Sequence, residues 1–318
     1  MKLTIVITVY NKEPYLHRIF DSVLNQQNTV DEDYEVLAVN DGSTDGSSKI
    51  LKEYEMRDKR VRVLTQQNQG LSIARNNGLK GAKGEYVWFV DADDKISSKA
   101  VSFICGAMVV KPDIIPIYAK TEGSEIIRNQ IPQDVKSGKE ILLSTKWEVC
   151  GVFNVFSKNF LCNNNLFFYP HIFHEDTEFT PRVLYAAKSV KVVPEILYIV
   201  YKTPGSITTS PNPKRAYDCL YVAESNYNII IDNNEMGTEI GRALCLRVSG
   251  TITNCLNLIL ENNKSEWAKF NKALYGKRYL FHSMEKTGVL RYWLLAKLFK
   301  IFPNRYVQVF KALRMMVR

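Results

Sequence analysis

The fold is indicated most clearly by residues 85–94, which read Glu-Tyr-Val-Trp-Phe-Val-Asp-Ala-Asp-Asp. The apolar run 86–90 predicts a buried β-strand. Three carboxylates follow within four residues, and such a group repels itself unless cations or solvent compensate. A hard divalent cation takes oxygen ligands, so Asp91 and Asp93 are candidate ligands for Mn²⁺ or Mg²⁺. The alternative is that Asp93 or Asp94 only caps the next helix.

Strands and helices alternate around this stretch. Strands are predicted over residues 3–9, 34–39, 61–64, 85–90, 113–117 and 190–193, and helices over residues 71–79, 175–187, 216–231, 239–260 and 265–284. Further helices are predicted after Pro14, around Leu51 and twice in the tail. This order implies a Rossmann-like, mostly parallel sheet flanked by helices, followed by a C-terminal helical region. Pro and Gly residues predict a loop or lid over residues 203–213.

Composition limits the class of protein. The chain has 318 residues and a net charge of +9, which suits a globular protein with anionic partners. Six cysteines occur without a CxxC pair, which disfavours a zinc site or a disulfide framework. We see no signal-peptide pattern and no run of about 20 apolar residues, so we expect a cytoplasmic protein.

The tail, residues 286–318, is basic and contains no acidic residue. Leu290, Trp293, Leu294 and Leu298 fall near helical spacing with basic residues among them. A basic amphipathic helix of this kind can lie in a membrane interface. The alternative is packing against the preceding helices or a dimer partner. We expect peripheral contact with the inner face of the cytoplasmic membrane, and a homodimer stays open.

Polar segments follow three of the predicted strands. They are Thr8-Val9-Tyr10-Asn11, Asn40-Asp41-Gly42-Ser43-Thr44-Asp45 and Asp91-Ala92-Asp93-Asp94. Ligands of open parallel sheets bind beyond the carboxyl ends of the strands. The three segments together therefore predict one ligand site. At that edge a carboxylate at position 41 can accept a base N–H or a ribose hydroxyl, whereas a plain turn is the alternative.

At this point the chain resembles the inverting family 2 glycosyltransferases of bacterial polysaccharide biosynthesis, which have the GT-A fold. The resemblance rests on the three polar segments with their strands, and on further motifs in the same order. These are Asn68-Gln69-Gly70-Leu71-Ser72-Ile73-Ala74-Arg75-Asn76, His174-Glu175-Asp176, and Tyr201-Lys202 with Ser206-Ile207-Thr208. It implies a glycosyltransferase domain over 1–210, with a nucleotide-sugar half (1–100) and an acceptor half (101–210). Residues 211–318 would be the helical region with the amphipathic tail.

The resemblance also implies roles for single residues. Thr8, Val9 and Tyr10 would line the base pocket, and Asp41 would contact uracil or ribose. The residues bordering the nucleotide, its diphosphate or the ribose would be Asn68, Gly70, Arg75, Asp91, Ala92 and Lys202. Asp93 would ligate the metal, with Asp91 as a second metal or water contact, and Asp176 would be the catalytic base. Lys202 departs from the family, where Arg is common, and Lys offers a point charge rather than a fork.

The implied function is transfer of a hexose from a nucleotide-sugar, expected to be a UDP-sugar, to a hydroxyl of a glycan or lipid-linked acceptor. Inverting transfer needs a carboxylate that takes a proton from the attacking hydroxyl, and a metal that stabilises the leaving diphosphate. For Glu175 a plain helix-start role stays open, and His174 is a minor acceptor-site or metal candidate. One alternative is sugar-phosphate nucleotidyl transfer, disfavoured because no glycine follows the first strand. The other is nucleic-acid binding, disfavoured because no known binding motif occurs.

Overall fold

The computed structural model describes residues 1–144, 146–203 and 212–316. Within these residues the chain divides into two units, one made of 1–171 and 183–203 and the other of 172–182 and 212–316. The predicted Ser206-Ile207-Thr208 element and most of the predicted 203–213 loop lie outside the described residues.

The first unit is built on one sheet. Its strands are β1 (Leu3–Val9), β2 (Tyr34–Asn40), β3 (Val61–Thr65), β4 (Tyr86–Asp91), β5 (Lys95–Ile96), β6 (Ile114–Thr121), β7 (Ile127–Arg128), β8 (Asn154–Ser157) and β9 (Val193–Val200). Their order is β3-β2-β1-β4-β8-β6-β9-β5, and β7 pairs with β6. The strands β1 to β4 pair in parallel, whereas β8 runs antiparallel between β4 and β6. The predicted mostly parallel arrangement of the first third is confirmed.

Helices cover the chain between and after these strands. They are α1 (Leu16–Leu24), α2 (Ser47–Arg57), α3 (Leu71–Gly81), α4 (Ala100–Met108), α5 (Gly138–Leu143), α6 (Lys158–Asn163) and α7 (Glu175–Ala186). The helices of the C-terminal region are α8 (Pro213–Asp232), α9 (Glu239–Leu260), α10 (Lys264–Gly276), α11 (Phe281–Lys286), α12 (Leu290–Ile301) and α13 (Tyr306–Met316). The predicted helical C-terminal region is confirmed.

The core of the first unit follows from the apolar runs. The side chains of β1 and β2 are buried along almost their whole length, as expected for strands covered on both faces. Helix α3 approaches β1 so closely that a Cβ on Gly78 would lie 2.3 Å from a Val6 methyl group. Glycine at this position therefore lets the helix pack directly on the sheet.

Several element predictions are wrong in detail. The strand predicted over 190–193 begins at Val193, because Val190 forms only an isolated bridge with Ile114. The single helix predicted over 265–284 is two helices, since α10 ends at Gly276 and a short 3-10 turn precedes α11. The strands β5, β7 and β8 were not predicted, because runs of two to four residues are too short for a periodic signal.

Helix α9 bears on the expectation that the chain has no apolar run long enough to cross a membrane. By length and composition it is apolar enough to cross a membrane, and no other helix of the described residues meets that test. Just over half of its most apolar window, 56%, is buried in the structure. Core helices of water-soluble domains have the same composition.

Candidate active site

The three polar segments meet at one edge of the sheet. Thr8 is the register partner of Val39 on one side and of Asp91 on the other. Val9 lies beside Asn40, the last residue of β2. Because these three strands are parallel, their carboxyl ends and the residues that follow them face the same edge. The prediction that these segments converge is confirmed.

The residues at the tip of β1 differ in what they offer a ligand. Thr8 is partly exposed and Tyr10 is 47% exposed, whereas the Val9 side chain lies in the core. The Val9 carbonyl oxygen accepts a hydrogen bond from the Asp41 N–H at 2.8 Å. The Val9 side chain therefore cannot line an open base pocket, and the side chains available at this tip are those of Thr8 and Tyr10.

Asp41 is buried and organises the loop that precedes α3. Its Oδ1 accepts hydrogen bonds from the Gln66 side chain and from the Gln69 N–H, both at 2.8 Å. Its Oδ2 accepts a hydrogen bond from the Gly70 N–H at 2.9 Å. These three bonds use most of the acceptor capacity of a carboxylate, which is about four lone pairs. The structure thus gives Asp41 a loop-positioning role, which the sequence did not indicate.

Two glycines shape the same loop. Gly42 has φ +73°, and a Cβ there would lie 2.8 Å from the Asn68 main-chain nitrogen. Gly70 has φ +86° and immediately precedes the first residue of α3. Both residues adopt the left-handed region that glycine reaches without strain. Asn68 is exposed between them.

Arg75 is fixed below the edge by an ion pair. It is only 2% exposed, and its Nη2 lies 3.0 Å from Asp91 Oδ1. Its guanidinium also lies over the Phe168 ring, 5.1 Å from the centroid. A buried guanidinium needs such a partner, and Asp91 is held in one orientation as a result. This ion pair between two predicted site residues was not itself predicted from the sequence.

The helix-cap alternative for Asp94 is wrong. Helix α4 starts at Ala100, after an N-cap that makes no side-chain bond. Asp94 instead accepts hydrogen bonds from the Tyr198 hydroxyl at 2.7 Å and from the Tyr201 N–H at 2.8 Å. Burial, followed by the nearby negative charge of Asp91, raises the pKa of Asp94 to about 7. Tyr198 also accepts a hydrogen bond from the Asp91 N–H at 3.1 Å, so its hydroxyl ties the two ends of the cluster together.

Asp93 lies between two cations. Lys12 Nζ is 2.5 Å from Asp93 Oδ2, and the Thr203 hydroxyl donates to the same oxygen at 3.0 Å. Arg18 donates from Nη2 to the Asp93 carbonyl oxygen. The Arg18 guanidinium also stacks on the Tyr201 ring, 3.9 Å from its centroid. The cations that the cluster requires are thus supplied by the chain itself.

The donor chemistry of the cluster fits a hard cation. Among the described residues no group of three or more His, Cys, Asp or Glu side chains is arranged around a metal position. Mg²⁺ and similar ions are nevertheless held by one or two carboxylates, with substrate phosphates and water as the remaining ligands. Asp91 and Asp93 provide this minimal set.

Ala92 and Lys202 complete the predicted residues of the first unit. Ala92 is buried, so its side chain has no access to a ligand. Lys202 is exposed next to Tyr201. Its ammonium group is accessible to solvent.

The predicted catalytic base belongs to the second unit. Asp176 lies with Glu175 in the first turn of α7 and is partly exposed. His174 precedes the helix with φ +64°, and its carbonyl oxygen accepts the N–H groups of Thr177 and Glu178. Burial, followed by the positive charge of Arg215, lowers the pKa of His174, which favours a neutral ring.

Sequence reasoning missed the partners of the acidic cluster. Lys12 directly follows the Tyr10-Asn11 motif, and this position was the only signal that could have indicated it. Arg18 lies in α1 and Tyr198 in β9. Neither has a local pattern that marks it as part of a site, because both reach it through tertiary structure.

Known proteins resemble this chain in sequence and in fold. The model of the family "Glycosyl transferase family 2" matches residues 4–157. This match covers 154 of the 318 residues, just under half of the chain. A relative of this chain is the uncharacterized glycosyltransferase EpsJ of Bacillus subtilis, 32% identical over 222 residues, which cover 66% of this chain and 63% of EpsJ. The match thus spans less than two thirds of that relative. The description of the family and the name of EpsJ both give the glycosyltransferase class that the motifs predicted for this chain.

Solved structures agree with the GT-A fold predicted for this chain. Staphylococcus aureus TarS 1-349 in complex with UDP has a TM-score of 0.74 at 18% identity, covering 99% of this chain and 92% of TarS 1-349. The mannosyltransferase PcManGT of Pyrobaculum calidifontis, in complex with GDP-Man and Mn²⁺, has a TM-score of 0.53 at 13% identity. It covers 98% of this chain and 86% of PcManGT. At these identities the likeness establishes the fold.

Proposed function

We propose that this chain is an inverting glycosyltransferase that moves a sugar from a UDP-sugar to a hydroxyl of a glycan or lipid-linked acceptor in cell-surface polysaccharide synthesis. The observation that carries the proposal is the convergence of the ends of β1, β2 and β4 on one acidic cluster. UDP as the leaving nucleotide is supported by the UDP complex of TarS, the more similar of the two structures compared.

The nucleotide would bind along the strand-tip edge. Thr8 and Tyr10 are the accessible side chains at the end of β1 and would contact the base. Asp41 would act mainly by holding the loop that presents Asn68 and Gly70. That loop opens α3, and helix N-termini offer N–H groups and a favourable dipole to phosphates.

A divalent cation, Mn²⁺ or Mg²⁺, would be held by Asp93, with Asp91 as a second ligand or water contact. When bound it supplies positive charge that stabilises the leaving diphosphate. The chain prepares for it by fixing both carboxylates. The ion pair with Arg75 orients Asp91, and the bond from the Thr203 hydroxyl orients Asp93.

Asp176 would take the proton from the attacking hydroxyl. Its place in the first turn of α7 fixes its main chain, and its partial exposure leaves the carboxylate accessible. A general base must be a carboxylate within hydrogen-bond reach of the hydroxyl that attacks. We assign this role to Asp176 and give the neighbouring Glu175 no role in the chemistry.

The two adjacent acids provide a matched test. Asp176→Asn is expected to lower kcat for transfer by at least about 10²-fold, because general-base contributions are typically of that size or larger. UDP binding, measured by calorimetry, should stay within about twofold, or about 0.4 kcal/mol, of the wild-type value. Glu175→Gln is the control and should keep near-normal kcat. If Asp176→Asn retains full activity, or if Glu175→Gln loses as much, the assignment of the base is wrong.

Helix α12 supports contact of the tail with an anionic membrane surface. At about 100° per residue, Leu290, Trp293, Leu294, Lys297 and Ile301 fall on one face. These residues are exposed except Lys297, and Leu290 and Ile301 are 70% and 65% exposed. The opposite face carries the buried side chains of the same helix. An outward apolar stripe with basic residues around it is the pattern of interfacial helices.

Tryptophan fluorescence tests this contact. The chain has four tryptophans, of which Trp293 is 43% exposed and the other three are buried. Vesicles of phosphatidylcholine with phosphatidylglycerol should therefore shift the emission to the blue, and Trp293→Phe should abolish the shift. No shift with these vesicles would contradict the proposal. A concentration-dependent shift without lipid, together with a dimer in light scattering, would assign the face to a homodimer instead.

A further inference from the structure

The cation closest to the predicted metal ligand is Lys12. Its ammonium nitrogen lies 2.5 Å from Asp93 Oδ2, and its side chain is 31% exposed. The carboxylate of Asp93 is 18% exposed. Partial burial of both groups strengthens their attraction relative to an exposed surface pair. Lys12 thus occupies one oxygen of the carboxylate that the proposed function gives to the metal.

The main chain fixes Lys12 at this position. Its N–H donates to the Ser47 hydroxyl at 3.0 Å, and the preceding Asn11 accepts the Thr44 N–H at 2.8 Å. The following Glu13 donates its N–H to Asp45 at 3.1 Å. These bonds join the β1–α1 loop to the β2–α2 loop. The Lys12 backbone is therefore held in place independently of the Lys12 side chain.

Cations of the chain itself already face Asp91 and Asp93. Arg75 pairs with Asp91, Lys12 pairs with Asp93, and Arg18 donates to the Asp93 carbonyl oxygen. A divalent cation that approaches Asp93 therefore meets a like charge at the same oxygen. A bound diphosphate changes these interactions, because it adds negative charge and new acceptors for an ammonium group.

We propose that Lys12 is the resident counter-ion of Asp93 and couples metal binding to donor binding. Before the donor binds, Lys12 neutralises Asp93 and keeps its affinity for the metal low. When the diphosphate binds, Lys12 transfers its hydrogen bonds to phosphate oxygens and releases Asp93 to the metal. Lys12 is in this sense a positioning residue for the metal. The inference rests on the proposed role of Asp93 as a metal ligand.

The test measures metal binding rather than turnover. Free Mn²⁺ is followed by electron paramagnetic resonance during titration of the full chain, with and without UDP. For Lys12→Gln we expect Mn²⁺ alone to bind about tenfold tighter than to the wild type, a gain of about 1.4 kcal/mol. The enhancement of Mn²⁺ affinity by UDP should shrink by a similar factor. Lys12→Arg keeps the charge and should behave like the wild type.

Lys52→Gln is the matched control, because it removes the same charge from an exposed position on α2. It should leave both affinities unchanged. Circular dichroism melting should show that Lys12→Gln remains folded, as expected from the main-chain bonds. If Lys12→Gln binds Mn²⁺ no tighter than the wild type, or keeps the full enhancement by UDP, the coupling role is refuted.

Asp93→Ala separates this inference from the proposed function. Loss of Mn²⁺ binding in Asp93→Ala, together with unchanged binding in Lys12→Gln, refutes the role of Lys12 alone. Undiminished Mn²⁺ binding in Asp93→Ala refutes the metal-ligand assignment, and the role of Lys12 with it. Loss in Asp93→Ala with tighter binding in Lys12→Gln supports both.

Discussion

Tyr198→Phe removes one hydroxyl from the centre of the candidate site. This hydroxyl donates to Asp94 Oδ2 at 2.7 Å and accepts the Asp91 N–H at 3.1 Å. Tyr198 is 0% exposed, so solvent has no direct access to replace the lost partner. Phenylalanine keeps the ring and its edge contact with Trp88. The substitution therefore tests the two hydrogen bonds with little change in apolar packing.

The expected cost follows from the two partners. A net hydrogen bond between neutral groups contributes about 0.5–1.5 kcal/mol, and one to a charged group about 1.5–3 kcal/mol. Tyr198 makes one of each kind when Asp94 is ionised. We therefore expect Tyr198→Phe to lower the free energy of unfolding by about 2–4 kcal/mol. The acidic cluster should also lose its fixed geometry, which lowers kcat/KM for sugar transfer.

The assay is urea denaturation followed by tryptophan fluorescence, since Trp88 lies in the same sheet. Tyr86→Phe is the control, because its buried hydroxyl donates to a single neutral acceptor, the Pro112 carbonyl oxygen, at 2.8 Å. It should cost about 1 kcal/mol and leave kcat/KM nearly unchanged. If Tyr198→Phe costs no more than Tyr86→Phe, the hydroxyl does not hold the cluster together and the reasoning is refuted.

Two further predictions concern a loop of the first unit and a helix of the second. Gly42→Ala places a Cβ 2.8 Å from the Asn68 main-chain nitrogen at φ +73°. We expect a loss of stability of at least about 1 kcal/mol and weaker UDP binding, and calorimetry showing normal binding would contradict this. Glu285 is held by Lys300 and Lys297, whose hydrogen bonds lower its pKa to about 2. Because the pKa of Glu285 is lower in the folded protein, the pairs stabilise the fold fully above the unfolded pKa of 4.5. This stabilisation is lost as pH falls toward about 2. The melting temperatures of wild type and Glu285→Gln should therefore converge over this pH range, and a constant difference would refute the role of the pairs.

The parallel part of the fold could be predicted because its signals are local. Strand β1 was predicted with its observed bounds, since a buried parallel strand is a nearly continuous run of apolar and β-branched residues. Helix α10 ends at Gly276, and a glycine is a common helix-end signal. The helix predicted over 265–284 nevertheless ran through this residue. Strand β8 has four residues and takes its place from antiparallel pairing with β4 and β6. Such pairing depends on distant segments and leaves no periodic pattern.

The acids of the candidate site could be predicted, but their partners could not. Asp91 and Asp93 follow a recognisable strand, and the topology rule places strand ends of this kind at a ligand site. Lys12 and Arg18 reach Asp93 from the β1–α1 region across 81 and 75 positions of sequence. Charge balance at the cluster requires such partners, but the sequence alone does not say which of many Lys and Arg residues supply them. Asp93 therefore already has two cationic neighbours, Lys12 and Arg18, which the sequence did not indicate.

Metal-assisted transfer from a UDP-sugar at the acidic cluster is the activity proposed for this chain. Its most direct test is UDP release from a panel of UDP- and GDP-sugars, measured with Mn²⁺ and again after chelation. We predict that the wild type releases UDP from at least one UDP-sugar, that chelation abolishes the release, and that Asp93→Ala shows none. Release that survives both chelation and Asp93→Ala, or release of GDP alone, would contradict the account.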